Sequence, residues 1–206
     1  METRMERRAK NAGNAGTVWM RVGLLLLAAA LLLTSYNIWD EWRADRAADR
    51  AVEQLTASLR HTGLAPDYRQ NPDMEMPVQR VDDESYIGTL YVPALDLSLP
   101  VISEWSYPRL KKAPCRYQGS VYQDNLIIAG HNYRTHFGEL KNLQIGDRIS
   151  FTDNDGNQFL YNLVEMEVLE RTDVKKMESG DWDLTLFTCT VGGASRVTVR
   201  CQRVVN

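Results

Sequence analysis

The amino-acid sequence predicts an all-β domain carried behind an N-terminal apolar helix. Three observations point there. An uncharged apolar stretch long enough to cross a bilayer lies near the start, Val22 to Ile38. A charged, alanine-rich segment without glycine or proline follows it, Asp40 to Arg60. From Tyr86 onward, short runs of apolar and β-branched residues are separated by turn residues, the pattern of a barrel or sandwich.

The first stretch reads as residues 1–17, a basic cytoplasmic tail, followed by residues 18–39, a transmembrane signal anchor. Arg4, Arg7, Arg8 and Lys10 outweigh Glu2 and Glu6 before the span, which places the N-terminus inside and the remainder outside the cell. Trp19, Tyr36 and Trp39 flank the span as interfacial aromatics do, and Arg21 can snorkel to the interface. A cleaved signal peptide is the competing reading, but leucines follow Ala28-Ala29-Ala30 directly, a poor cleavage context.

Residues 40–61 are expected to form a helical stalk, because Ala44, Ala48, Val52, Leu55 and Leu59 recur at helical spacing. His61, at its end, is expected to be solvated. Residues 62–80 contain Gly63, Pro66, Pro72 and Pro77 among polar residues and read as a linker or strap, followed by a β domain over residues 81–206.

Within that domain the expected strands are Tyr86 to Pro93, Asp96 to Ile102, Leu126 to Ala129, Arg148 to Thr152, Gln158 to Val164, Glu165 to Arg171, Leu184 to Thr188 and Arg196 to Val205. Asp153-Asn154-Asp155-Gly156 is a strong hairpin signal between two of them. Asp153, Asp155 and Glu165 are read as turn and surface residues. Cys115 falls in a segment read as irregular.

The composition excludes some functions. The net charge is −3, and the basic residues form no stripe interleaved with aromatics, so no nucleic-acid partner is expected. The three cysteines, Cys115, Cys189 and Cys201, form no CxxC pair, so a zinc site of the usual spacing is not expected, and no residues are assigned to a metal or cofactor.

The chemistry concentrates in the last hairpin. Six residues, Thr190 to Ser195, join two strands, so Cys189 and Arg196 come to lie opposite each other at the hairpin mouth. A thiol beside a fixed cation is a candidate nucleophile, since positive charge favours the thiolate. Arg200 faces the same way but lies about 13 Å further along the strand, and is expected to form surface ion pairs. Cys201 alternates onto the apolar side with Val199 and reads as a buried small hydrophobe, or as a disulfide partner of Cys115. Two histidines lie in Gly130-His131-Asn132-Tyr133-Arg134-Thr135-His136-Phe137-Gly138. His131 directly follows a buried strand, where a rigid element hands the chain to a functional loop; His136 is less fixed.

These residues carry a resemblance. Thr185-Leu186-Phe187-Thr188-Cys189, with Arg196-Val197-Thr198-Val199-Arg200 after it, resembles the cysteine motif and following arginine strand of sortases, the cysteine transpeptidases that attach proteins to Gram-positive cell walls. Ile127-Ile128-Ala129-Gly130-His131-Asn132 resembles their histidine motif, Tyr86 to Pro93 their opening strand, and Gly146-Asp147 fits as well, so that the likeness covers about residues 82–206.

The resemblance implies a closed eight-stranded β-barrel, Cys189 as nucleophile, His131 as general acid and base, and Arg196 as stabiliser of the oxyanion or holder of the substrate. It implies as partners surface proteins bearing an LPXTG-like signal, cut between Thr and Gly, and an amine acceptor on the peptidoglycan precursor or a pilin lysine. Gly130-His131-Asn132 and Phe137-Gly138 are class B-like. Asn71-Pro72-Asp73 lacks the Asp-Pro-aromatic lid pattern of pilus polymerases, and the chain ends directly after its last strand, so protein anchoring is expected over pilus polymerisation. A different extracellular cysteine acyl-transferase, such as an L,D-transpeptidase, is the runner-up, although Thr-Leu-Phe-Thr before the cysteine is not that family's Ser-x-Gly. A tethered β-barrel binding module with a structural cysteine is the non-enzymatic alternative.

Overall fold

The computed structural model describes residues 4–59, 68–190 and 192–204. The chain divides into two compact units, Met1–Trp42 and Arg43–Asn206. One helix, α1, runs over Arg4–Leu59. Over residues 18–39 its apolar side chains are exposed, Leu24, Leu25, Leu26, Leu31, Leu32 and Leu33 among them. A helix of this length and apolarity is suited to lipid rather than to water.

In the second unit the last turns of α1 lay a narrow stripe on the β domain. Ala44, Ala48, Ala51 and Leu55 are buried, whereas Val52 is half-buried. The stripe therefore runs through Ala51 rather than through Val52 as the periodicity suggested. Its small side chains let the helix approach closely. Ala51 and Leu55 pack in one cluster with Val81, Tyr86, Ile102, Ala113 and Cys115. The expectations for His61 and for residues 62–67 fall outside the described residues.

Nine strands follow: β1 Gln79–Val81, β2 Glu84–Val92, β3 Leu97–Ile102, β4 Cys115–Gln118, β5 Leu126–Gly130, β6 Arg148–Asp153, β7 Gln158–Glu170, β8 Leu184–Cys189 and β9 Ser195–Arg203. They pair in the order β1-β2-β3-β4-β5-β8-β9-β7-β6, and β6 also pairs with β2. That second pairing closes eight strands, β2 to β9, into a mixed barrel, with β1 a short flap sharing an edge of β2 with β6. The handover falls at Gly88, after a register shift between Tyr86 and Gly88. Its φ is +150°, and a Cβ there would lie 2.2 Å from the Thr152 carbonyl oxygen, so only glycine fits the closure point.

Alternation fills the barrel. Ile87, Leu90, Val101, Leu126, Ile128, Ile149, Phe151, Tyr161, Leu184, Leu186 and Val199 belong to one buried core. The Asp153 turn is firmer than a surface turn. Its buried carboxylate accepts from the backbone N–H groups of Asp155 and Asn157 and from the Tyr122 hydroxyl at 2.7 Å. The strap before β1 packs at the far end of β9: Tyr68 stacks on Tyr122 with ring centroids 4.9 Å apart and accepts from Arg203.

Some elements differ from the sequence reading. Gln158–Glu170 is one strand, not two, with a register shift between Leu163 and Glu165. The segment around Cys115 is strand β4, paired with β5 and touching β3 at Ile102. Two short helices, α2 Tyr107–Leu110 and α3 Val174–Glu178, lie between strands. They sit over the outward side chains of β5 and β8, where Ile127, Ala129, Phe187, Leu169 and Met177 form a third buried cluster with Leu110 and Tyr117 against it.

Candidate active site

Three strand ends meet at one rim of the barrel. β5 and β8 run parallel and in register, Leu126 opposite Leu184 through to Gly130 opposite Thr188. His131 and Cys189 are each the next residue, so both stand at the same level, His131 just past the end of β5 and Cys189 as the last residue of β8. β9 returns antiparallel, with Arg196 paired to Cys189. Histidine, cysteine and arginine, separated by up to 65 positions in the sequence, thus become three neighbours along one edge.

Local structure fixes each in turn. After Cys189 the hairpin loop is cinched by Thr190. Its hydroxyl donates to the Ser195 carbonyl and accepts from the Ser195 N–H, both at 3.1 Å, while its N–H donates to the same carbonyl at 2.9 Å. Gly192 and Gly193 take φ of +84° and +71°, which the tight return requires. Cys189 itself is exposed, whereas Cys115 and Cys201 are buried. All three cysteines are free thiols, so the Cys115–Cys201 disulfide does not form. Burial pushes each of those two thiols up to about 12, which leaves them inert, and they belong to different core clusters.

Arg196 is half-buried. Its guanidinium donates to the Arg171 carbonyl at 2.8 Å and lies 5.8 Å from the centre of the Phe187 ring, so it is anchored from the β7–β8 connection and by the strand beside it. Arg200 departs from expectation. It is fully buried rather than at the surface, at 1% exposure. Its guanidinium donates to Glu167 at 2.9 and 3.0 Å, to the Met177 and Lys176 carbonyls and to the Thr185 hydroxyl. The cause is α3, whose carbonyls close over that stretch of β9 and turn an apparently outward residue into an internal tie.

The histidines separate as well. His131 is half-buried, its ring stacked on Tyr133 at 3.8 Å between centroids with 27° between planes. His136 is wholly buried, and neither of its ring nitrogens has a hydrogen-bond partner among the described residues. Burial, with a smaller contribution from nearby His131, pushes its pKa down to about 4, so it is a neutral packing residue at ordinary pH. Gly130 matters through space: a Cβ on it would lie 2.3 Å from the Phe137 ring, which folds back against the strand end.

Sequence reasoning missed Tyr133, Phe187 and the Arg171 carbonyl as supports of this edge. A ring two residues before the cysteine and another two after the histidine were the available signals. Among the described residues no group of acidic, histidine and cysteine side chains could hold a metal ion.

The family profile described as the sortase domain matches residues 90–204, more than half of the chain and the whole of the rim just described. The chain belongs to the sortase family. Solved structures agree in fold. Sortase C1 of Streptococcus agalactiae superposes with a TM-score of 0.60 at 19% identity, over 76% of this chain and 99% of that one. The sortase D5 transpeptidase of Clostridium perfringens gives 0.59 at 17%, over 78% and 99%. Sortase A of Corynebacterium diphtheriae gives 0.55 at 17%, over 86% and 96%. A search of curated protein sequences found no match. This sortase thus shares its barrel with structures named as classes A, C and D, and the likeness at these identities is one of fold.

Proposed function

We propose that the chain is a membrane-anchored cysteine transpeptidase that cleaves an LPXTG-like sorting signal outside the cell and transfers the acyl group to an amine of the cell wall. The observation that carries this reading is the register that sets His131, Cys189 and Arg196 side by side at the barrel rim.

In this reading the Cys189 thiolate attacks the carbonyl of the scissile peptide bond, with His131 holding the proton the thiol has given up. A C–S bond forms, the C–N bond breaks, and His131 delivers its proton to the departing amine. The incoming amine then attacks the thioester, passes a proton to His131, and expels the thiolate. At both tetrahedral stages negative charge gathers on the carbonyl oxygen. Arg196 supplies a fixed positive charge for it, because the Arg171 carbonyl and the Phe187 ring restrain the guanidinium beforehand. Water in place of the amine would make the same site a protease.

The apolar span within α1 would tether the enzyme, with residues 1–17 inside the cell because their basic residues precede the span. Residues 40–61 and 62–80 would then link the anchor to a catalytic domain over 81–206. Surface proteins bearing the sorting signal are the proposed donors. The test is to incubate the full chain in detergent with a panel of LPXTG-like peptides and candidate amines: short glycine peptides, a peptidoglycan stem peptide and a pilin-type lysine peptide. A ligated product with the stem peptide or glycine amines supports anchoring. Selective use of the lysine peptide would redirect the reading to pilus polymerisation, and no cleavage of any peptide would overturn it.

A further inference from the structure

We infer that Tyr133 is a positioning residue for His131, holding the imidazole by face-to-face stacking so that its edge is presented toward the neighbouring strand end that carries Cys189. The inference rests on the proton-transfer role proposed for His131.

Backbone pairing fixes His131 only as far as its Cα. It lies one residue beyond Gly130, the last paired position of β5, and its side chain still has two free torsions. The loop that follows removes that freedom. The Phe137 N–H donates to the His131 carbonyl at 3.1 Å, which closes the loop onto its own first residue. The Tyr133 carbonyl accepts from the N–H groups of both His136 and Gly138, at 3.0 and 2.9 Å, so the Tyr133 backbone is held at two points. Both glycines that bracket the loop are needed for this closure: a Cβ on Gly138 would lie 2.6 Å from the Asn132 carbonyl oxygen, and one on Gly130 would strike the Phe137 ring.

The fixed backbone delivers the phenol ring flat onto the imidazole, 3.8 Å between centroids. The buried ring of His136 packs against Tyr133 in a tilted contact, 5.4 Å between centroids at 56°. The outcome is a cluster of three rings, one contact stacked and one tilted, with buried His136 in the core and His131 at the rim. A stacked imidazole loses one face to its neighbour and keeps its edge, and the edge is where both nitrogens lie. Nδ1 is itself buried, which leaves Nε2 as the nitrogen to exchange protons. Parallel aromatic contacts are favourable in themselves, so the stack restrains the ring through its face rather than through its nitrogens. A proton-transfer group misplaced by about 1 Å can cost on the order of a hundredfold in rate, which is the scale on which such a support acts.

The test uses the full chain in detergent and whichever LPXTG-like peptide the wild type turns over best, comparing Tyr133→Leu, Tyr133→Phe and His131→Ala. Tyr133→Leu is expected to lower kcat roughly tenfold to a hundredfold with KM nearly unchanged. Tyr133→Phe, which keeps the ring and loses the hydroxyl, is expected to restore kcat to within a few-fold. In NMR the His131 ring protons should lose their upfield ring-current shift in Tyr133→Leu and keep it in Tyr133→Phe. Wild-type kcat in Tyr133→Leu, or Phe as damaging as Leu, would overturn the positioning role while leaving the transpeptidase reading intact. Retained turnover in His131→Ala, or no turnover by the wild type, would overturn the reading itself and this inference with it.

Discussion

Strands β8 and β9 carry a thiol and a guanidinium at each of their two ends, and the two ends are chemically opposite. At the rim, Cys189 is exposed and faces Arg196 across the hairpin. At the other end, Cys201 pairs with Leu184 and Arg200 with Thr185, and both Cys201 and Arg200 are buried. Residue type does not distinguish the pairs; their surroundings do. The rim thiol lies open to solvent, and its arginine donates to a backbone carbonyl. The inner thiol is raised by burial, and its arginine is consumed by a carboxylate, a hydroxyl and two carbonyls. The same two strands therefore offer an open end, where the proposed chemistry lies, and a buried structural end.

Arg200 tests that contrast most severely. Removing it leaves Glu167 with Lys176 at 3.4 Å as its remaining ion pair among the described residues, and strips donors from the buried Met177 carbonyl and the partly buried Lys176 carbonyl. Breaking a buried pair from one side costs about 3–5 kcal/mol. Arg200→Ala should therefore lose stability of that order in urea unfolding, with turnover per folded molecule largely kept. A stable but inactive Arg200→Ala would mean that the wrong arginine has been assigned to the chemistry.

Arg196→Ala should do the reverse. Loss of an oxyanion donor costs about a hundredfold to a thousandfold in kcat, and its partial exposure predicts a small change in unfolding. Equal losses of stability in the two variants would erase the distinction between the ends.

The histidine loop supplies a smaller effect with a defined sign. His136 stays neutral in the fold down to about pH 4, whereas an unfolded imidazole takes up its proton near 6.5. Between those values the unfolded chain binds more protons, so this contribution is complete above about pH 6.5 and lost as the pH falls toward 4. At 1.36 kcal/mol per pKa unit, the loss is on the order of 3 kcal/mol. His136→Phe should remove most of that acid sensitivity, as measured by denaturant unfolding at pH 7 and pH 4.5. An unchanged pH dependence would show that His136 is not held neutral by burial.

Legibility in the sequence followed the range of the interactions. The β8–β9 hairpin was readable because its two strands and six-residue loop are contiguous, so alternation and spacing alone bring Cys189 opposite Arg196. The closed barrel followed from the family resemblance, and alternation filled it. The parallel pairing of β5 with β8 was not readable from periodicity, since it joins segments far apart in the chain; only the motif likeness linked His131 to Cys189. Strand β4 was missed because it has four residues and a register shift between Arg116 and Gln118, which erases any period of two. Arg200 was misplaced because strand alternation sets which face a residue is on, not what covers that face. Its cover, α3, is a five-residue helix in a lysine-rich stretch with no apolar periodicity of its own.

The central claim is that the rim thiol, and neither of the buried ones, forms the acyl-enzyme. Mass spectrometry of the full chain incubated with an LPXTG-like peptide and no amine acceptor tests it directly. A thioester carrying the peptide through its threonine carbonyl, mapped to Cys189 and lost in Cys189→Ala, is the expected result. An adduct on Cys115 or Cys201, or continued cleavage of the peptide by Cys189→Ala, would contradict the account.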